Sequence, residues 1–268
     1  MKVWEIKSDR RSFTYNLVNF NEDKEQLYRT EEGRYLLDWK PLRMEVSRKG
    51  IKSDLPHFTL GVLVFSRKSV DILNNYINKY VQYLSIDNNE HVLVNITNVA
   101  DCVNYDRSTS FKDRHGEFAG FDKLYFVEDK LEDQYIFKIK EHVQSNIYVT
   151  DKFRDLVLQS KLKGFDFIEV WDSEITEEME QDKQKNYENR LLEIEQYKGT
   201  EYNWSEAIEK VETGKVMASG AWKIQQNDKG IIMLGQLLKD LTYLWIDPIY
   251  YPPISLDLKW HEAEVCEI

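Results

Sequence analysis

Residues 146–172 constrain the fold more than any other stretch of this chain. A short β-branched run, Ile147-Tyr148-Val149-Thr150, is followed by Phe153, Leu156, Val157 and Ser160 at the spacing of one narrow helix face. Thr150 or Asp151 is placed to cap that helix, since either side-chain oxygen can accept a free N–H of the first turn. Lys161 and Lys163 favour a helix C-terminus, and Gly164 can take the left-handed conformation that ends one. Beyond it Phe165, Phe167 and Glu169 alternate with Asp166, Ile168 and Val170, the period of a strand. The stretch is expected to fold as strand, helix, strand, with Phe167 in the core. It supplies a scaffold and shows no catalytic group.

An echo precedes it. Residues 58–65 form an apolar run suited to a buried strand, and Ser66 can cap a helix. Val70, Leu73, Ile77 and Tyr80 follow at helical spacing, before a strand at 82–86. The side chains of the two stretches do not match beyond the pattern, so a common supersecondary unit is favoured over a duplicated half. Residues 3–6, 91–99, 102–104, 124–127 and 135–139 are further expected strands. Residues 8–50 are charged and irregular, with Phe13, Tyr15, Phe20, Tyr28, Tyr35 and Trp39 spread through them, and Pro41 breaks what precedes it. They are expected to form a loop-rich layer over a core, and residues 108–120 a polar connection. Short strands joined by short polar turns argue for antiparallel pairing. The expected fold class is α+β, a mixed, largely antiparallel sheet with helices packed on one face, plus a C-terminal helical and short-strand extension.

A strand ending in Thr or Ser, an amphipathic helix, and then Lys163-Gly164-Phe165-Asp166-Phe167-Ile168-Glu169-Val170-Trp171 together carry a likeness. It extends back to Leu55-Pro56-His57-Phe58 and Leu63-Val64-Phe65-Ser66 and covers roughly residues 55–172. This stretch resembles a bacterial immunity-protein domain, of a family formerly catalogued as a domain of unknown function, whose members accompany polymorphic toxins. The motifs are packing motifs. The resemblance implies a protein that binds a cognate toxin and neutralises it.

Composition changes at Asp172. Residues 173–213 hold twelve acidic residues against five basic ones, a local charge of −7. Good helix formers dominate up to Tyr197 and apolar positions are sparse, so a long, largely solvated helix is expected to end near Gly199. Asn203 or Ser205 is placed to cap a second helix running to Glu212. Residues 214–219 read as loop, and 222–226, 231–234 and 243–247 as strands, with a turn at 227–230. Residues 248–254 hold Pro248, Pro252 and Pro253 and are expected to be extended rather than helical. The expected organisation is an immunity-like domain over 1–172, with an acidic helical segment and an aromatic-rich β extension over 173–268 packed on it.

The chain has 268 residues, 42% hydrophobic and 13% aromatic, a composition that folds rather than stays disordered. Its formal net charge of −11 disfavours nucleic acid and anionic lipid as direct partners and steers it toward a basic one. Cys102 and Cys266 form no Cys-x-x-Cys pair. The start lacks the apolar core of a signal peptide and no run of about 18 apolar residues occurs, so the expected location is the cytoplasm, with no membrane association. Phosphate-binding glycine loops, dinucleotide fingerprints and nucleophile elbows are missing. His115-Gly116-Glu117 has the His-x-Glu look of zinc deaminases, without the later Pro-Cys-x-x-Cys. His261-Glu262 opens a His-Glu-x-x-His pattern that Val265 breaks. No cofactor and no metal are expected.

The favoured reading is a non-catalytic immunity protein that occludes the active site of a cognate toxin, with a basic nuclease as one candidate. Glu177, Glu178, Glu180 and Asp182 would then mimic nucleic acid and speed encounter through complementary charge. Trp245, Asp247, Tyr250 and Tyr251 form the second candidate contact, because rigid aromatics beside proline cost little entropy to order. Both groups also have a plain structural explanation, as a solvated helix face and as a core edge. The competing readings are an enzyme whose dispersed site leaves no motif and a structural subunit that docks through the long helix.

Overall fold

The computed structural model describes residues 1–268 except Leu60, Pro252 and the side chain of Ile254. The chain is α+β and divides into two compact units, Met1–Glu174 and Ile175–Ile268. The first unit opens with β1 (Lys2–Ser8), β2 (Thr14–Leu17), α1 (Phe20–Arg29) and β3 (Met44–Arg48). It continues with β4 (Leu63–Ser66), α2 (Arg67–Ile77), β5 (Val81–Ser85) and β6 (His91–Ile96). The hairpin β7 (Thr109–Lys112) and β8 (Phe118–Lys123) and the short β9 (Ile136–Phe137) follow. β10 (Tyr148–Thr150), α3 (Asp151–Gln159) and β11 (Phe165–Asp172) close the unit.

The two strand–helix–strand stretches share one architecture. α2 links β4 to β5, yet β6 lies between them and is antiparallel to both, with Val94 opposite Leu63 on one side and Tyr83 on the other. α3 links β10 to β11, and β1 lies between them, with Val3 opposite Thr150 and Trp171. Each is a split unit whose outer strands run parallel and whose central strand comes from elsewhere in the chain. The echo in the sequence therefore reflects a repeated way of packing a helix over a pair of strands. β6 is buried along its whole length: Val92, Val94 and Ile96 enter the cluster of Phe65, Leu73, Ile77, Val149 and Phe153, while Leu93 enters the cluster of Tyr15, Leu27, Leu42 and Val64. A third cluster gathers Cys102, Phe126, Phe137, Tyr148 and Trp171.

Long-range partners override several local expectations. Thr150 makes no cap: its hydroxyl donates to the Gln134 carbonyl at 2.7 Å. The Asp151 carboxylate instead accepts the Lys2 N–H at 2.7 Å and the Trp4 indole N–H at 2.9 Å. α3 is ended by Lys161 in the left-handed region (φ +53°), with the Leu162 N–H returning to the Val157 carbonyl at 3.2 Å. Gly164 is needed for a close approach, since a Cβ there would lie 1.8 Å from the Ser53 hydroxyl oxygen. Phe167 is half-buried against the core, whereas Phe153, like Phe65, lies fully inside it.

The 8–50 region holds β2, β3 and α1 rather than loops alone. α1 left little trace because Asn19 makes no side-chain cap and Leu27 is its one buried residue. Residues 108–120 lie mostly in the β7–β8 hairpin and its turn, whose Gly116 has φ +84°. Residues 102–104 and 124–127 meet in a single bridge, Val103 to Phe126. Of 58–65, residues 63–65 belong to β4, Gly61 turns the chain at φ +71°, and Leu60 lies outside the described residues.

The second unit contains α4 (Glu177–Gln196), α5 (Trp204–Glu212), β12 (Val216–Ser219), β13 (Trp222–Gln226), β14 (Ile232–Leu237), β15 (Tyr243–Ile246), α6 (Pro253–Asp257) and β16 (His261–Ala263). The strands form one antiparallel sheet in the order β15–β14–β13–β12–β16. α5 starts at a capping box, Asn203 with Glu206, and lays Ala207 and Val211 on Met217, Ile224, Leu234 and Trp260. α4 buries none of its residues, as its composition implies. The loop expected over 214–219 is largely β12, which pairs with both β13 and β16. The extended segment expected over 248–254 gives way to α6 at Pro253, because proline suits a first helical turn whose N–H has no partner; Pro252 lies outside the described residues. No helix among the described residues is long and apolar enough to cross a membrane.

Two stability measurements check this core. Phe153→Ala should cost about 3–5 kcal/mol in urea unfolding, more than Phe167→Ala. Lys138 is fully buried, with its ammonium 3.4 Å from the Thr30 and Glu31 carbonyl oxygens just beyond α1. Burial pulls its pKa from 10.5 down to about 8. Between those values the unfolded state binds more protons, so stability rises with pH by roughly 3 kcal/mol at this site. Lys138→Met should flatten that rise when unfolding midpoints are compared at about pH 7.5 and pH 10.

Candidate functional site

The first unit carries an open cleft of about 890 Å³ assembled from five short segments. Phe13 and Tyr15 come from the start of β2, Val46, Lys49 and Gly50 from β3 and its exit, Lys52 to Asp54 from the following loop, and Ser66 to Lys68 from the start of α2. Asn89, Glu90 and His91 complete it at the entry to β6. The chain can bring these together because the exit from β3 runs against the backbone before β2. A Cβ at Gly50 would lie 2.4 Å from the Arg11 carbonyl oxygen and 2.5 Å from the Phe13 nitrogen.

The floor is aromatic. His91 is buried, with the rings of Phe13 and Tyr15 at 5.8 and 5.6 Å, both edge-on. The Tyr15 hydroxyl lies 3.3 Å from His91 Nδ1, and the Asn88 side-chain amide donates to that hydroxyl at 3.4 Å. Burial pushes the His91 pKa down and the Tyr15 pKa up, so both stay neutral near pH 7.

Several polar groups of the wall at α2 are already paired. Ser66 accepts the Ser69 N–H at 3.1 Å and donates to Asp54 Oδ1 at 2.9 Å. Asp54 Oδ2 accepts the Lys163 N–H at 2.9 Å and faces the Lys68 ammonium at 3.4 Å. The Arg67 N–H donates to the Glu90 carbonyl, and Arg67 Nε to the Asn89 carbonyl at 3.1 Å. Lys49, Lys52 and Arg67 are exposed on the rim and have no carboxylate at ion-pairing distance among the described residues. Four cations and two carboxylates line the cleft, a local charge of +2 in a chain of −11.

The expected contact residues lie in the second unit. Glu177, Glu178 and Asp182 are exposed and Glu180 is half-exposed. The three glutamates occupy the first turn of α4, where negative charge complements the helix dipole, beside the Thr176 cap. Trp245 is half-buried, donating its indole N–H to the Glu267 carbonyl at 2.8 Å beside Tyr243. Tyr251 packs edge-on against Trp204 at 4.7 Å. Asp247 and Tyr250 are exposed, Tyr250 at 74%. The aromatic stretch is thus divided, with Trp245 and Tyr251 bound into the fold and Asp247 and Tyr250 facing solvent.

Among the described residues no three His, Cys, Asp or Glu side chains converge as a metal site. His115 stands in the β7–β8 turn against Arg114. Glu262 pairs with Lys210 at 3.0 Å and Lys215 at 3.2 Å. The Cys102 thiol is buried and pushed up to about 12, so it is no nucleophile at neutral pH. The cleft was invisible in the sequence because its members are up to 78 positions apart, from Phe13 to His91, and carry no fixed spacing.

A model of the Immunity protein family (Imm11) matches residues 24–172, more than half of the chain, and the chain belongs to that family. The match takes in β4–β6 with α2, β10 and β11 with α3 though not the central β1, and most of the cleft, and it ends within the first unit at Asp172. No curated protein matches the chain.

The burial of His91 fixes a pH response. Its folded pKa lies below the unfolded value near 6.5, so the unfolded state takes up its proton first and stability falls as pH drops below about 6.5. His91→Gln should show a smaller loss of urea midpoint between about pH 7.5 and pH 5.5 than the wild type.

Proposed function

We propose that this protein binds a cognate toxin and neutralises it by occluding the toxin's active site, without performing chemistry of its own. The observation that carries this reading is the family match over residues 24–172. The lack of a metal-ligand cluster among the described residues is compatible with it. The protein would act in the cytoplasm, where it meets the toxin directly.

The second unit adds charge to this reading. Residues 175–268 contain ten Lys and Arg against eighteen Asp and Glu, so −8 of the total −11 resides there. The acidic turn of α4 around Glu177, Glu178, Glu180 and Asp182 would steer a basic toxin, such as a nuclease, toward the complex. Asp247 and Tyr250 would add a solvent-facing contact, and Trp245 and Tyr251 would hold that segment in place.

Affinity capture with the tagged protein from its native host, followed by mass spectrometry, should retain one stoichiometric toxin or toxin fragment. Co-expression should then relieve the growth arrest caused by that fragment. No retained toxin under conditions where toxins are expressed counts against the reading. Replacing Glu177, Glu178, Glu180 and Asp182 together by lysine should slow association by about tenfold at low salt and weaken its salt dependence, with circular dichroism confirming that α4 persists. An unchanged on-rate removes the steering role and leaves the binding role intact.

A further inference from the structure

Charge and shape in the cleft point away from the basic partner that the net charge suggests. We propose that the cleft is a docking site for an acidic protein segment, one that sets carboxylates against Lys49, Lys52 and Arg67 and places an aromatic or aliphatic side chain on the floor formed by Phe13, Tyr15 and His91. This rests on the toxin-binding reading for the source of the segment, and extends it by giving the chemistry of one contact.

The cations supply the sign. Lys49, Lys52 and Arg67 stand on the rim without a carboxylate of their own at ion-pairing distance among the described residues, whereas Lys68 is held by Asp54 at 3.4 Å. Their charge faces outward and is available to a partner. The first unit as a whole holds 26 Lys and Arg against 29 Asp and Glu, so the acidic excess of the chain lies elsewhere. At physiological salt a charge more than about 8 Å away is largely screened, so local sign governs docking here.

The floor supplies the anchor. Neutral His91 and Tyr15 bond to each other, and Phe13 offers an apolar ring beside them. A volume of about 890 Å³ suits one or two large side chains with their backbone. Rigid aromatic floors inside a charged rim are the arrangement in which interface anchors are held.

Phosphate is the alternative anion, and the backbone argues against it. A phosphate at a helix start is held by free N–H groups. At α2 two of those groups are engaged, the Ser69 N–H by the Ser66 side chain and the Arg67 N–H by the Glu90 carbonyl, and the Asp54 carboxylate is already seated beside Ser66 where an anion would sit.

The test uses the whole protein and a fluorescein-labelled copolymer of glutamate and tyrosine, followed by fluorescence anisotropy at physiological salt. Polyglutamate, heparin and ATP serve as competitors. The copolymer should bind, polyglutamate should compete weakly, and Lys49→Glu combined with Lys52→Glu should weaken binding about tenfold. Both lysines are exposed, so an unchanged thermal midpoint should show that the variant folds; Lys49→Gln with Lys52→Gln provides a milder version. No copolymer binding, binding indifferent to the cleft variants, or stronger binding of heparin or ATP at the same lysines would each overturn the proposal. If the copolymer binds in the cleft and no toxin is captured, the docking chemistry stands and the toxin reading falls. If a toxin is captured equally by wild type and cleft variants and the copolymer does not bind, the reverse holds.

Discussion

The first unit depends on one strand placed between two others. β1 lies between β10 and β11, so residues 2–8 pair with residues more than 140 positions away. Without it β10 and β11 would face each other across an empty ladder, each with a row of unpaired N–H and C=O groups that costs free energy when buried. Side chains fix the register. Asp151 takes both the Lys2 N–H and the Trp4 indole, and the Arg154 guanidinium lies 4.4 Å over the Trp4 ring. Lys2 reaches Glu169 at 2.7 Å and Asp172 at 3.0 Å. The exposed ion pairs contribute little each. The burial of Val3 and Ile6 in two separate core clusters contributes more.

This placement explains which features were legible in the sequence. The helices α2, α3, α4 and α5 were visible because caps, periodicity and composition are local, and Ser66 and Asn203 do cap as their positions imply. Thr150 and Asp151 look equally like caps, and both are diverted, Thr150 to the Gln134 carbonyl just before β9 and Asp151 to the distant β1. A short polar side chain before a helix has several partners open to it, and sequence shows only the nearest. α1 and the β7–β8 hairpin were missed for the opposite reason. They bury few residues, so the apolar period that marks an element is weak in them. The candidate site fared worst. Acidic runs and aromatic clusters can be seen in a sequence, whereas the cleft is made by the crossing of Gly50 over the backbone before β2. No spacing rule registers such a crossing.

Charge is divided between the units in a way that the net value hides. A chain of −11 suggests a uniformly acidic surface that repels anions. Assigning −8 to residues 175–268 leaves the family-matched unit close to neutral, with a cationic rim around an aromatic floor. A partner with both signs on its surface can therefore be met by both units in different places. Such patterning gives specificity, because a protein carrying one sign alone would gain at one surface and lose at the other.

The cleft also bears on whether the protein is a catalyst. A buried histidine beside a tyrosine hydroxyl in an open cleft is a place where acid–base chemistry is sought. A working pair needs environments that push the two groups toward the proton-transfer range, commonly through a charged neighbour. Here burial is the leading cause at both, and it acts in opposite directions: down for His91, up for Tyr15. Each group is favoured in its neutral form near pH 7. The Tyr15 hydroxyl and His91 Nδ1 are spent on each other, and Asn88 holds both the tyrosine oxygen and the His91 N–H. Two polar groups that satisfy one another beneath an aromatic surface are what a rigid docking floor requires, because an unpaired one would resist the desolvation that binding imposes.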